Sequence, residues 1–248
     1  MGRLRLFNWL ARILLAMQLV WLPQAVMAAA YATGGSGKYQ NEILWLTWGD
    51  AKNPLGKSGV TLKSGDTSMA TIPVANGANL SVSCSIADIA TPSSKPLKSY
   101  RPGDWRGDTL DDAYNVSGTG GSNQLINGIV GDSGVSSFTV NCSSMLNNRD
   151  IGLRGFVIAD AESMAANNEY IMGAATGKWS VIEKIGSSSN AYYVDKSTPA
   201  AGTLPNSKQG DSFIKFRTTS GDGERGVLTF LQFSDSSNQN LASQKMVF

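Results

Sequence analysis

The side chains best suited to chemistry concentrate in residues 102–112, which have the sequence PGDWRGDTLDD. The aspartates of this stretch are Asp104, Asp108, Asp111 and Asp112. Oxygen-rich clusters can bind calcium, although the spacing is not the Asp-x-Asp-x-Asp-Gly of an EF-hand loop. Aspartates are also common in solvent-facing turns, which is the favoured interpretation here. No cofactor is therefore predicted, and calcium stays an open alternative.

The same stretch and the tyrosine that follows it form the predicted binding surface. Trp105 lies between Asp104 and Arg106 and is expected to be exposed, where an aromatic ring suits sugar stacking or protein contact. The ring could equally fold back and anchor the loop. The tripeptide at 106–108, Arg-Gly-Asp, is too short to be a specific signal. The candidate binding residues are Asp104, Trp105, Arg106, Asp108, Asp111 and Tyr114.

The composition argues against catalysis. The chain has no histidine, which excludes Ser-His-Asp and Cys-His arrangements and zinc sites built on histidine. A glycosidase needs only two facing carboxylates, but none of the few glutamates lies in a context that singles it out. No Gly-rich phosphate-binding motif is present. We predict a protein that is not an enzyme, with a carbohydrate-active enzyme as the least favoured alternative.

Residues 1–30 have the pattern of a signal peptide. The basic residues Arg3, Arg5 and Arg12 precede or interrupt a short apolar run that ends at Leu22, and small residues follow. We expect cleavage after Ala28 or Ala30. The apolar run is shorter than the roughly 18 residues that a membrane span requires. The sequence thus predicts a protein that is secreted or exposed at the cell surface, with no transmembrane segment after the signal is removed.

Removal of this segment changes the charge of the chain. The full sequence has 21 basic and 19 acidic residues, for a net charge of +2. Without the three arginines of the signal, 18 basic residues face 19 acidic ones. A nearly neutral body offers no electrostatic surface for nucleic acid, so no nucleic-acid partner is expected.

The two cysteines, Cys84 and Cys142, are predicted to form a disulfide. Each lies in a stretch where apolar and polar residues alternate, which places both cysteines on the apolar face of a strand. An oxidising compartment favours their pairing. Two buried free thiols are the alternative.

Beyond the signal, the pattern predicts a flexible Gly/Ser linker over 31–40 and one all-β domain over 41–248. Many short alternating segments favour a two-sheet sandwich with long loops and at most a short helix, at 160–168. Trp45 and Trp48, three positions apart, should face opposite sides of a strand, and Trp179 should lie in the core. The long section 91–133 is the expected binding loop. The chain stops close to a strand signal, so a truncated product is an open alternative.

Several segments together resemble a known family. Residues 43–48 (ILWLTW), 155–163 (GFVIADAES) and 177–179 (GKW) are similar to segments of the second non-repetitive domain of the bacterial surface adhesin CshA. The resemblance implies a lectin-like β-sandwich of the jelly-roll type, used in adhesion to an extracellular glycan or glycoprotein. A structural or assembly subunit of a surface appendage is the alternative, which an exposed strand edge near Val247 and Phe248 would favour. The oligomeric state and the identity of the ligand stay open.

Overall fold

The computed structural model describes residues 29–50, 56–92, 94–102, 109–116, 127–131, 136–161, 170–186, 192–195, 204–218, 225–233 and 243–248. The first strands are β1 (Ala29–Tyr31), β2 (Leu44–Leu46), β3 (Thr67–Pro73), β4 (Asn79–Ala90), β5 (Leu97–Tyr100), β6 (Gly128–Gly131), β7 (Ser137–Leu146) and β8 (Arg149–Asp150). The later strands are β9 (Gly155–Asp160), β10 (Ile171–Ala175), β11 (Lys178–Gly186), β12 (Tyr192–Asp195), β13 (Ser212–Thr218), β14 (Arg225–Gln232) and β15 (Ser243–Val247). One short helix, α1 (Leu110–Ala113), and a 3-10 turn at Ala75–Gly77 complete the described elements.

These strands form the predicted β-sandwich. The larger sheet has the order β12-β13-β10-β15-β7-β4-β3, with β8 paired to β7, and the facing sheet has the order β11-β14-β9. Between them lies a core to which both sheets contribute, including Ile86 and Phe216 from the first and Trp179 and Leu231 from the second. Burying each such side chain stabilises the fold by roughly 1.5–3 kcal/mol. The prediction of an all-β sandwich is confirmed.

Strands β4 and β7 show why the sequence forms this layer. In β4 the buried residues Val82, Cys84 and Ile86 alternate with serines that point away from the core. Cys84 lies directly opposite Cys142 on β7, and the two form a disulfide. Both are almost completely buried, at 2% and 3% exposure. The predicted disulfide is therefore present, and it joins the neighbouring strands β4 and β7 from the core side.

The segment predicted to be a flexible linker instead packs against the domain. We call residues 29–43 the N-terminal strap. It begins with β1, which pairs with β2, and the Thr33 and Gly34 N–H groups then donate to the Asn115 carbonyl at 2.8 and 3.1 Å. Gly35 has φ +104°, and a Cβ there would overlap the carbonyl of Ala113. Its glycines thus permit close backbone contact with α1 rather than freedom in solvent.

The helix expected at 160–168 falls mostly outside the described residues, which omit 162–169, so it stays a prediction. At the start of that stretch, Asp160 is the last residue of β9. An exposed strand edge near Val247 and Phe248 would have favoured the assembly alternative, but β15 lies between β7 and β10. The Phe248 N–H and carbonyl both bond to Phe138, each at 2.9 Å. Within the described strands, the ends of the larger sheet are β3 and β12.

Candidate binding surface

The predicted binding residues fall into two groups. Asp104, Trp105, Arg106 and Asp108 lie outside the described residues, so their roles stay predictions. Asp111 and Tyr114 are described and buried, at 4% and 0% exposure, on and directly after α1. In this conformation neither is open to a ligand from solvent. Asp112, the remaining calcium candidate, is exposed.

Tyr114 is the centre of a polar junction beneath the N-terminal strap. Its hydroxyl donates a hydrogen bond to the carboxylate of Glu183 and accepts one from the Tyr39 N–H at 3.2 Å. The Lys38 N–H donates to both oxygens of the same carboxylate, at 3.1 and 3.3 Å. Burial, together with the bond to Glu183, raises the pKa of Tyr114 well above its ordinary value. Tyr114 therefore fastens the strap to β11 rather than facing a ligand.

The tryptophans are divided between two parts of the interior. Trp48, at 8% exposure, belongs to the main core between the sheets, whereas Trp45 packs in a second cluster around Tyr114. The Trp45 and Tyr114 rings meet edge to face, with centroids 5.4 Å apart. Trp179 lies in the main core, and its indole N–H donates to the Ser212 carbonyl at 3.2 Å. The predicted core position of Trp179 is confirmed. Trp45 and Trp48 lie in different clusters, but β2 ends at Leu46, so Trp48 is not part of the strand that was predicted to carry both.

The described residues contain no group of three or more Asp, Glu, Cys or His side chains that could hold a metal ion. Two of the four calcium candidates, Asp104 and Asp108, lie outside those residues. Calcium binding therefore stays a prediction.

A broad uncharged surface lies on the solvent side of the larger sheet, which we call the outer sheet face. Its members project from β3, β4 and β7 and are Thr67, Met69, Thr71, Ser81, Ser83, Ser85, Asn141, Ser143 and Met145. The strand register aligns them in rows, such as Met69, Ser83 and Ser143. Neighbouring strands are about 5 Å apart and successive rows about 7 Å apart.

The outer sheet face carries hydroxyl, amide and thioether groups and no ionisable side chain. At its border, Lys245 on β15 pairs in register with Asn141 and forms an ion pair with Asp88 at 4.0 Å. Such a face can exchange hydrogen bonds with a neutral polar ligand and offer apolar contact through Met69 and Met145. The sequence contained one signal of it, the regular alternation of serines in β4. The alignment across three strands depends on register and was not predictable.

The fold and the outer sheet face together define the class of protein as a β-sandwich domain with a broad uncharged face. The chain belongs to the family described as surface adhesin CshA non-repetitive domain 2, whose sequence model matches residues 41–245. The suspected resemblance is therefore confirmed, and the chain is a domain of a surface adhesin family. No curated protein and no solved structure matched the chain.

The match begins after most of the N-terminal strap. Residues 29–40 precede the matched range but pack against it through backbone hydrogen bonds to residues 112–115. Among the helices that the structure describes, none is long and apolar enough to cross a membrane.

Proposed function

We propose that this protein is a secreted or surface-exposed bacterial adhesin domain that binds a glycan or glycoprotein and catalyses no reaction. The observation that supports this proposal most directly is the outer sheet face. Its serine and asparagine side chains can replace the water that hydrates sugar hydroxyls, and each such exchange changes the free energy by only about 1 kcal/mol. Met69 and Met145 would pack against the apolar faces of sugar rings.

Rigidity of the surface would favour weak polar contacts. Ser83 and Ser85 flank Cys84 in β4, while Asn141 and Ser143 flank Cys142 in β7, so the disulfide lies directly beneath the middle of the outer sheet face. A surface that is already ordered loses less entropy when a ligand binds. The segment 91–133, which includes β5, α1 and β6 and contains Trp105, is proposed as a second contact to the same ligand.

The two glutamates of the described residues, Glu42 and Glu183, both lie at the N-terminal strap. Retaining and inverting glycosidases need two carboxyl groups about 5–10 Å apart across a cleft. Glu183 is engaged by the Tyr114 hydroxyl and the Lys38 N–H beneath the N-terminal strap. Glu42 is exposed at the end of the same strap. We propose that Glu183 serves no catalytic role, because its carboxylate accepts the hydrogen bonds that hold the N-terminal strap.

The proposal can be tested with the exported full-length protein on glycan arrays and immobilised matrix glycoproteins. We expect retention at micromolar concentrations. Ser143→Arg, which places a bulky charge on the outer sheet face, should reduce retention at least tenfold. Gln209→Arg, at an exposed residue just before β13 and outside both proposed contact regions, is the control for the added charge and should bind like the parent. Trp105→Ala reports separately on the segment 91–133.

Loss of binding in Trp105→Ala but not in Ser143→Arg would move the site from the outer sheet face to the segment 91–133. If the parent retains no glycan and no glycoprotein at these concentrations, the proposed function is wrong.

A further inference from the structure

One end of the larger sheet is a strand edge without a partner among the described residues. Strand β3 pairs with β4 on one side and forms the end of the sheet on the other. Its inner face is well packed, because Ser68 and Ala70 are only 0% and 2% exposed. The strand is therefore a firmly seated edge of the sheet rather than a frayed one.

The hydrogen bonds at the two ends of β3 define which of its backbone groups face outward. The Ile86 N–H donates to the Asp66 carbonyl at 2.9 Å, and the Val74 N–H donates to the Ala78 carbonyl at 2.8 Å. Hydrogen-bonded pairs alternate along an antiparallel ladder, so Ser68, Ala70 and Ile72 direct their backbone groups to β4. The N–H and carbonyl groups of Thr67, Met69 and Thr71 consequently point away from the sheet.

This edge lacks the features that normally prevent strands from pairing between molecules. Natural edges are guarded by lysines, prolines, bulges or short length. From Thr67 to Ile72 the strand carries no charge and no proline, and its register with β4 has no bulge. Met69, at the middle of the edge, is 54% exposed, the highest value among the exposed large hydrophobic side chains of the described residues. The opposite end, β12, is only four residues long.

We propose that two copies of this protein associate edge to edge through β3, antiparallel, about a twofold axis at Met69. In this register Thr67 lies opposite Thr71 of the partner subunit, and the two Met69 side chains meet across the axis. Each copy then donates the free N–H groups of Thr67, Met69 and Thr71 and accepts through their carbonyls. The dimer would join two larger sheets into one continuous sheet.

The position of Pro73 selects this register. A twofold axis at Met69 places Pro73, which has no N–H, opposite Gly65, whose own N–H already donates to the Ile86 carbonyl at 2.8 Å. An axis at Thr71 would instead set Pro73 against Met69 and leave a carbonyl of Met69 without a donor. A second copy fits better than an unrelated peptide, because the neutral edge complements itself and the axis buries its most exposed apolar side chain.

Cysteine cross-linking of the exported full-length protein tests both the dimer and its register. Hydrogen-bonded pairs in antiparallel strands have Cα atoms about 5.5 Å apart, which is within disulfide range. We expect Met69→Cys to form a disulfide-linked dimer on non-reducing gels. Met145→Cys is the matched control, since Met145 is also exposed on the outer sheet face but lies on the interior strand β7. It should cross-link at least tenfold less.

The proposed register also predicts which pairs of introduced cysteines should cross-link. Thr67→Cys and Thr71→Cys should each cross-link poorly alone and efficiently when the two variants are mixed. Equal cross-linking of Met69→Cys and Met145→Cys, or of Thr67→Cys alone and in the mixture, would overturn the proposal.

Sedimentation of the protein without introduced cysteines provides an independent measurement. Met69→Lys would place two like charges on the twofold axis and should weaken dimerisation at least tenfold, whereas Met145→Lys should not. A parent protein that is monomeric at every concentration measured, or a dimer insensitive to Met69→Lys, would refute edge pairing through β3. Both results are independent of glycan binding, so this inference and the proposed function can fail separately.

Discussion

Two contacts between distant parts of the chain hold this domain together in different ways. Strands β4 and β7 are joined by a covalent bond between Cys84 and Cys142, at a sequence separation of 58. The N-terminal strap is held against α1 and β11 by backbone hydrogen bonds and by the Tyr114–Glu183 pair. The first contact lies within a continuous ladder of strands, whereas the second depends on a few close approaches. We expect the strap to open locally under conditions in which the disulfide-linked strands β4 and β7 stay paired.

The largest effect should come from removing the disulfide. Replacing both cysteines, as Cys84→Ala with Cys142→Ala, releases a closed loop of about 60 residues and should lower the free energy of unfolding by about 4 kcal/mol. Urea denaturation of the parent and the double variant measures the difference. An unchanged midpoint would mean that the ladder itself, and not the covalent bond, holds β4 to β7.

Adding a single methyl group at Gly35 should destabilise the packing of the strap. A Cβ there would overlap the Ala113 carbonyl, and the residue has φ +104°, so Gly35→Ala should destabilise the strap by about 2–3 kcal/mol. Gly65→Ala is the matched control, because Gly65 has φ +95° but no neighbour that its Cβ would meet. It should cost about 1 kcal/mol from backbone strain alone.

Hydrogen exchange separates the two regions in this experiment. In Gly35→Ala the amides of Thr33, Gly34 and Gly37, which bond to residues 113 and 115, should exchange faster, while those of β4 and β7 stay protected. If all of them lose protection together, the strap and the sheet unfold as one unit and the contrast between them disappears.

The two regions also differ in how far they could be predicted from the sequence. Alternation in β4 and β7 is a local pattern that places Cys84 and Cys142 on one face, so their pairing and the sandwich were predictable. The strap was predicted to be a linker, because its glycines have the composition of a flexible segment. Their actual role is to allow a backbone approach to Ala113 that lies far along the chain. No local pattern contains that information.

The candidate binding residues show the same limit, because contacts between distant parts of the chain are not contained in a local sequence pattern. The sequence predicts Tyr114 and Asp111 as binding residues, because polar and aromatic residues in a long connection often bind ligands. Tyr114 instead contacts the strap through Tyr39 and bonds to Glu183, which lies 69 positions further along the chain. The outer sheet face could be predicted in part. Alternation indicates which residues of each strand face outward, but the register that aligns them across the three strands is not contained in the sequence pattern.

Removing the Tyr114 hydroxyl should loosen the strap less than Gly35→Ala does. Hydrogen bonds to a charged group contribute more than neutral ones, so Tyr114→Phe should lower the free energy of unfolding by about 2 kcal/mol. Tyr31→Phe, at a tyrosine that is 39% exposed on β1, is the control and should change it by less than about 0.5 kcal/mol. Equal effects of the two substitutions on the free energy of unfolding would show that the Tyr114–Glu183 hydrogen bond does not hold the strap in place.

The smallest effect is a dependence on alkaline pH that only the strap should show. The pKa of Tyr114 is raised in the folded protein, so this group contributes stability that is fully present below its ordinary pKa of about 10. Above that pH the unfolded chain loses the phenolic proton and the folded chain keeps it, so stability falls by up to about 1.4 kcal/mol per pH unit. Urea midpoints of the parent and Tyr114→Phe, measured from pH 8 to 11, should therefore converge as pH rises. The phenylalanine variant has no proton to lose at this position, and midpoints that stay a constant distance apart would show that Tyr114 does not retain its proton beneath the strap.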